Sequence, residues 1–143
     1  MTLAVAVALA EDDGLLGRGE RLVDVFPEAA ATAGPRASEI TVEDCLRMST
    51  GHHEDTLDTV PGLLGSGDGA AALFLAAEPE HEPGSWFVYH NGASLMLALA
   101  VQRRTGQRLL HYLRPRLLEP LGITSASWRS AAGGDLGFSG LHT

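Results

Sequence analysis

The chain has 143 residues, of which 45% are hydrophobic and 20% are charged, so it can bury a core and form one domain or a piece of a larger one. Its net charge of −8 argues against a nucleic-acid partner and against a polybasic membrane anchor. All ten basic residues are arginine, and the sequence contains no lysine.

The first predicted element is a helix from Thr2 to Asp13, which is apolar nearly all round and is therefore expected to be buried on several sides. Gly14 suits the position just after its end. The apolar run has no basic segment before it, and acidic residues at 11–13 end it too early for a membrane span. The sequence thus predicts no signal peptide and no membrane span, with the cytoplasm as the default location.

Short helices and glycine-rich loops alternate in the middle of the chain. Thr41 is the predicted N-cap of a helix that runs to about Met48, and a further helix is predicted from Ala70 to Ala77. Between them, residues 62–69 form a glycine-rich loop. Cys45 lies beside apolar positions and, as the single cysteine, is predicted to be a small buried residue that forms no intrachain disulfide.

The second half of the chain begins with the clearest helical pattern. Residues 92–104 leave almost no polar face, which predicts a buried helix. Leucines with helical spacing follow from Leu110 to Leu117, and Pro115 must kink this helix or begin a new turn. Beyond Trp128 the chain is glycine-rich, and we expect weak order there. No alternating strand pattern is evident, so the fold class is mainly α.

Tyr89 and Asn91 form a Tyr-x-Asn triplet immediately before the long apolar helix. Spacing alone allows a structural explanation, in which the tyrosine is half-buried on a short strand and the asparagine caps the next helix, since Asn is a favoured N-cap. The residues around the triplet favour a functional explanation.

Several segments, in order along the chain, resemble the serine β-lactamase-related family, which includes class C β-lactamases, D-alanyl-D-alanine carboxypeptidases and related esterases. They are residues 4–14, 40–52, 80–92, 95–104 and 119–123. The resemblance covers nearly the whole chain and implies a helical-region fragment of an α/β β-lactamase-like (penicillin-binding transpeptidase-like) fold, with its central sheet missing. Residues 1–143 are accordingly expected to be an incomplete domain, truncated at both ends.

The resemblance implies that Tyr89 is a general acid/base and that Asn91 binds the substrate amide. The family's nucleophile belongs to a Ser-x-x-Lys motif, and a chain without lysine contains no such motif. A phenol with a pKa of about 10 acts as a base at neutral pH only beside cations, which the family supplies as lysines. We therefore expect a partial serine hydrolase, inactive as this chain. Its full-length parent would hydrolyse a β-lactam, D-Ala peptide or ester through an acyl-enzyme.

Other candidate sites are weaker. The run His52-His53-Glu54-Asp55 could hold a metal, but no third and fourth ligands with useful spacing are evident, so no metal and no cofactor are predicted. No serine among Ser49, Ser66 and Ser94 lies in a Gly-x-Ser-x-Gly elbow, so none of the three is predicted to be a nucleophile. The chain therefore contains no predicted nucleophile.

A different class of function is also open, namely a non-catalytic helical module that binds a partner, or the remnant of a gene. Loss of the central sheet predicts uncovered apolar surface on the first helix and on the helix over 93–101. Such a surface would favour self-association. In the full-length parent, the expected partner is a small-molecule or peptide substrate.

Overall fold

A computed structural model describes residues 2–131 and 134–143 of the chain. Seven α-helices lie in the described part: α1 (Thr2–Asp12), α2 (Leu22–Val25), α3 (Val42–Leu46), α4 (Thr56–Thr59), α5 (Ala70–Ala76), α6 (Asn91–Thr105) and α7 (Leu109–Leu113). Short 3-10 turns lie at Pro27–Ala29, Ala37–Glu39 and Gly67–Gly69, and a π-helical turn follows α7 at Arg114–Leu118. The described residues thus confirm a mainly α fold.

Helix α6 is the centre of the molecule. It packs against each of the other six helices. Every residue from Gly92 to Val101 is buried except Leu99, which is half-buried. A helix that is apolar on all sides is stable in water only when it is surrounded in this way.

The prediction of uncovered apolar surface on this helix is therefore wrong. Six shorter helices already cover it, without any contribution from a large sheet. Helix α1 also buries Leu3 and Val7 and half-buries Val5 and Leu9, and its exposed apolar positions are the small residues Ala4 and Ala8.

The ends of the helices follow from local sequence. Helix α1 ends at Asp12, and Gly14 adopts a φ of +72°, as its predicted position after the helix requires. Helix α3 begins at a capping box in which Thr41 and Asp44 bond each other's backbone N–H groups at 3.0 and 3.1 Å. It ends before the predicted Met48, which adopts a left-handed φ of +53°.

Pro115 begins a new turn, one of the two outcomes predicted for it, because its ring cannot continue the α-helical hydrogen bonds of α7. Two contacts hold this corner against the end of α1. The Tyr112 hydroxyl donates to Asp13 Oδ2 at 2.6 Å, and Arg116 forms an ion pair with the same carboxylate at 2.6 Å.

Four two-residue strands form the C-terminal region: β1 (Ser127–Trp128), β2 (Ser130–Ala131), β3 (Gly134–Asp135) and β4 (Leu141–His142). They form two antiparallel pairs, with Trp128 opposite Leu141 and Ser130 opposite Asp135. The sequence predicts weak order here, whereas the structure forms paired strands. Ala132 and Gly133 of this segment lie outside the described residues.

Asp135 explains part of this pairing. Its side chain is buried and accepts hydrogen bonds from the Leu110 backbone N–H at 2.9 Å and from Arg108 at 2.7 Å. The β2–β3 pair is thereby attached to the start of α7. No helix in the described part of the chain has the length and apolar character needed to cross a bilayer.

Candidate active site

Tyr89 and Asn91 lie where the chain enters α6. Tyr89 is 68% exposed, and Asn91 is the first residue of the helix. Between them, His90 is fully buried. Residues 86–90 do not form a strand, so the structural explanation of the triplet fails at the tyrosine. The phenol of Tyr89 instead reaches solvent, although the next residue, His90, is fixed in the core.

Asp55 caps the N-terminus of α6. Its carboxylate accepts the backbone N–H of Asn91 at 2.9 Å and that of Gly92 at 3.0 Å. The same carboxylate caps α4 by accepting the Leu57 N–H at 3.0 Å. One negative charge therefore serves two helix N-termini, where the helix dipole favours it. Asn91 is not the cap, so the structural explanation fails at this residue as well.

The protonation of Asp55 follows from these contacts. Burial by itself would raise the pKa of the carboxyl group. The hydrogen bonds from the N–H groups of Gly92, Leu57 and Asn91 outweigh this effect and hold the pKa of Asp55 below its ordinary value. Asp55 is consequently ionised whenever both helices are formed at neutral pH.

A buried chain of hydrogen bonds holds His90. The Thr56 backbone N–H donates to His90 Nε2 at 3.1 Å, so this nitrogen carries no proton. His90 Nδ1–H then donates to Thr50 Oγ1 at 3.2 Å, and the Thr50 hydroxyl donates to His52 Nδ1 at 2.9 Å. His52 Nε2–H donates to the Ala77 carbonyl at 2.7 Å, which completes the chain. This pattern fixes the neutral tautomer of both histidines.

Burial keeps both rings neutral. It lowers the pKa of His90 to about 4, with the nearby His52 adding to the effect and Asp55 opposing it. Burial also lowers the pKa of His52, against the opposing Ala77 carbonyl bond. Neither ring is suited to act as a proton carrier at neutral pH, because both hold their hydrogen bonds only when uncharged. Their role is to position the backbone that follows Tyr89.

Gly92 allows the closest approach between α4 and α6. A Cβ atom at this position would collide with the Thr56 hydroxyl and lie 3.1 Å from His90 Nε2. Only glycine therefore lets the N-terminus of α6 reach the Asp55 carboxylate and the Thr56 backbone together. The entry to α6 is a rigid frame from which Tyr89 projects.

Sequence reasoning did not find the residues of this frame. It considered Asp55 only as part of the run 52–55 that could hold a metal, and it assigned no role to His90. Asp55 had a local signal, because an Asp before Thr56-Leu57 is a helix N-cap pattern. The partners of His90 had none, since Thr56 and Thr50 lie 34 and 40 residues away along the chain.

The serine candidates and Cys45 are buried or half-buried. Ser49 and Ser94 are buried, with 7% and 8% of their surface exposed, and Ser66 is half-buried. Cys45 is 1% exposed, which confirms the prediction of a small buried residue, and burial raises the pKa of its thiol. Within residues 2–131 and 134–143, no group of three or more His, Cys, Asp or Glu side chains is placed to hold a metal ion.

Three surface cavities, of about 320, 390 and 280 Å³, are lined by residues other than Tyr89. The second of these lies beside His52 and His53, with Glu54 and Glu80 also on its wall. Tyr89 thus lies on open surface in the described residues and not inside these cavities.

The helices around α6, with the exposed Tyr89 just before its N-terminus, constitute the helical part of a β-lactamase-like fold. The sequence profile of the Beta-lactamase family matches residues 1–143, so the chain belongs to that family. No curated protein sequence matches the chain significantly.

Solved structures of the same fold cover most of the chain. A D-stereospecific amidohydrolase from Streptomyces sp. is 19% identical with a TM-score of 0.68, and the match covers 88% of this chain and 41% of that one. An octameric penicillin-binding protein homologue from Pyrococcus abyssi is 19% identical with a TM-score of 0.70, covering 90% and 31%. A penicillin-binding protein homologue from Caulobacter crescentus is 27% identical with a TM-score of 0.68, covering 85% and 32%. The chain thus spans about a third to two fifths of these proteins.

Proposed function

We propose that this chain forms the Tyr-x-Asn side of a serine hydrolase active site, with Tyr89 as general acid/base and Asn91 as the residue that binds the substrate amide. The observation that carries the proposal is the frame around His90. It fixes the backbone that directly follows an exposed tyrosine, at the N-terminus of the most buried helix. Catalysis benefits from such rigidity, because small displacements of a reacting group are costly.

The chemistry of the proposed role requires groups that this chain lacks. An acyl transfer needs an activated nucleophile, a base and donors for the oxyanion. The sequence contains no lysine, and the serines considered above are buried or half-buried. Tyr89 therefore has neither a Ser-x-x-Lys serine to serve nor a lysine to stabilise its phenolate. We propose that residues 1–143 are an incomplete domain and are inactive by themselves.

The proposed reaction of the complete enzyme is hydrolysis of an amide or ester through an acyl-enzyme. The D-stereospecific amidohydrolase supports an amide substrate, and the penicillin-binding protein homologues support a β-lactam. A D-Ala peptide and an ester are further substrates that the family resemblance implies. An exposed Tyr89 two residues before the amide residue Asn91 suits any of these carbonyl substrates.

The test compares two forms of the protein. The 143-residue chain is assayed with a chromogenic β-lactam and with p-nitrophenyl esters, and so is a continuous chain that adds flanks with Ser-x-x-Lys and the late core strand. We expect background rates for the first and turnover for the second. Saturable, stoichiometric labelling of the 143-residue chain by a fluorophosphonate would overturn the proposal, because it would reveal a nucleophile in this chain.

A second candidate function is supported by the exposed aromatic residues before α6. Phe87 is 71% exposed and Tyr89 is 68% exposed, with Trp86 at 36% beside them. Three neighbouring aromatic side chains at the surface suit a contact with a protein partner or a second copy. Sedimentation of the wild-type chain and of Phe87→Ser tests this candidate. A monomer at high concentration for both chains would exclude self-association through Phe87.

A further inference from the structure

Two histidines meet on the surface beside the segment that leads to Tyr89. His53 Nδ1 and His81 Nε2 lie 3.2 Å apart, although 28 residues separate them in sequence. The Trp86 indole stacks on both rings, with ring centroids 4.2 Å from His81 and 4.8 Å from His53. His53 is exposed and His81 is half-buried.

The backbone on both sides of this pair is held in place. The His81 N–H donates to the Gly51 carbonyl at 2.9 Å, and the His53 N–H donates to Glu80 Oε2 at 2.6 Å. Arg36 donates to the Glu80 carbonyl at 2.7 Å and so fixes the turn that carries His81. The two rings are therefore brought together by the fold and do not depend on their mutual hydrogen bond.

We propose that His53 and His81 chelate a divalent transition-metal ion, with Zn²⁺ and Cu²⁺ as the ions of suitable chemistry. Imidazole nitrogen bonds these ions at about 2.0–2.1 Å. Two such bonds place the nitrogens about 2.9 Å apart at a right angle and about 3.4 Å apart at a tetrahedral angle. The observed separation of 3.2 Å lies within this range. Each ring must turn so that its lone pair points roughly 40° away from the line between the two nitrogens and towards the ion.

The remaining coordination positions are filled by water, since the described residues place no third protein ligand at this point. Glu54 and Glu80 line the cavity next to His53, so the surroundings are negative and favour a cation. The ion would join the loop at residue 53 to the turn at residue 81 and stabilise the segment that leads to Tyr89. This site does not depend on the proposed hydrolase function.

The test uses the 143-residue chain produced without a histidine tag. Because Cu²⁺ quenches a nearby indole, titration with CuCl₂ reports binding through Trp86, and calorimetry with ZnCl₂ gives the stoichiometry. We expect one ion per chain. His53→Gln and His81→Gln should each weaken binding on the order of 100-fold, since each removes one arm of a chelate. Trp86→Phe should bind the ion but lose most of the quenching.

His111→Gln is the matched control, because His111 is exposed on α7, away from the pair. It should bind both ions as the wild-type chain does. Unchanged binding in either His53→Gln or His81→Gln would overturn the proposal, as would the absence of Cu²⁺ binding by a folded wild-type chain. Equal losses in His111→Gln would also overturn it, because they would show non-specific binding to surface histidines.

Discussion

Thr50 and His90 lie 40 residues apart in sequence and share a buried hydrogen bond of 3.2 Å between the threonine hydroxyl and His90 Nδ1. This bond joins the loop after α3 to the residue between Tyr89 and Asn91. The loop after α3 thereby helps to position the backbone next to the proposed catalytic tyrosine.

Stability should fall as the pH falls from about 6.5 towards 4. Burial lowers the pKa of His90 from 6.5 to about 4 in the folded chain, whereas the unfolded chain keeps the ordinary value. Well above pH 6.5, His90 is neutral in both the folded and the unfolded chain, and its contribution to stability is fully present. Below pH 6.5, His90 binds a proton in the unfolded chain before it does so in the folded chain. This difference lowers the free energy of unfolding by about 3 kcal/mol near pH 4.

Urea unfolding at pH 7.5 and at pH 5 measures this effect. Asp55 is ionised in both the folded and the unfolded chain above the ordinary pKa of 3.8, so its contribution to stability is lost only below that pH. His111→Gln, which replaces an exposed histidine, should keep the same pH dependence. An equal free energy of unfolding at pH 7.5 and pH 5 would contradict a neutral, buried His90.

Asp55→Asn should destabilise the chain by about 1–2 kcal/mol, because it removes the charge that caps α4 and α6 together. Asp58→Asn is the matched control, since Asp58 is exposed in the first turn of α4 and caps nothing in α6. Chemical unfolding compares the two variants. Equal losses of stability in the two variants would show that removal of a negative charge in general is responsible, and not removal of the cap that α4 and α6 share.

Gly92→Ala should destabilise the chain, although the same change inside a helix usually stabilises by about 1 kcal/mol. The added methyl group collides with the Thr56 hydroxyl, and α6 must then move away from α4. Adding Thr56→Ala should recover part of the loss by removing that hydroxyl. Thermal unfolding of the single and double variants measures the coupling between positions 92 and 56. A Gly92→Ala chain that is more stable than the wild-type chain would contradict the close contact with Thr56.

The parts of the fold that depend on local sequence could be predicted. Helix α6 follows from an apolar run that has no polar face, and α3 follows from the Thr41 capping box, whose two residues lie three positions apart. The family resemblance was likewise carried by residues in sequence order. None of these inferences needed knowledge of which segments pack together.

The positioning of the candidate site depends on contacts between distant segments. Asp55 reaches Asn91 across 36 residues, and no sequence pattern shows that pairing. The expected apolar exposure of α6 was wrong for the same reason, since only packing reveals that six helices surround it. The exposure of Tyr89 depends on the burial of its neighbour His90, which is decided by partners elsewhere in the chain.

The central claim is that Tyr89 performs acid/base chemistry in a serine hydrolase site. Its most direct test is single-turnover acylation by a labelled penicillin or ester of the chain completed by its flanks, comparing Tyr89→Phe with Tyr112→Phe, the other tyrosine of this sequence. We predict that Tyr89→Phe slows acylation about 100- to 10,000-fold, as expected for loss of a general acid/base, while Tyr112→Phe retains the parent rate. Equal rates for Tyr89→Phe and the unsubstituted protein would contradict the claim.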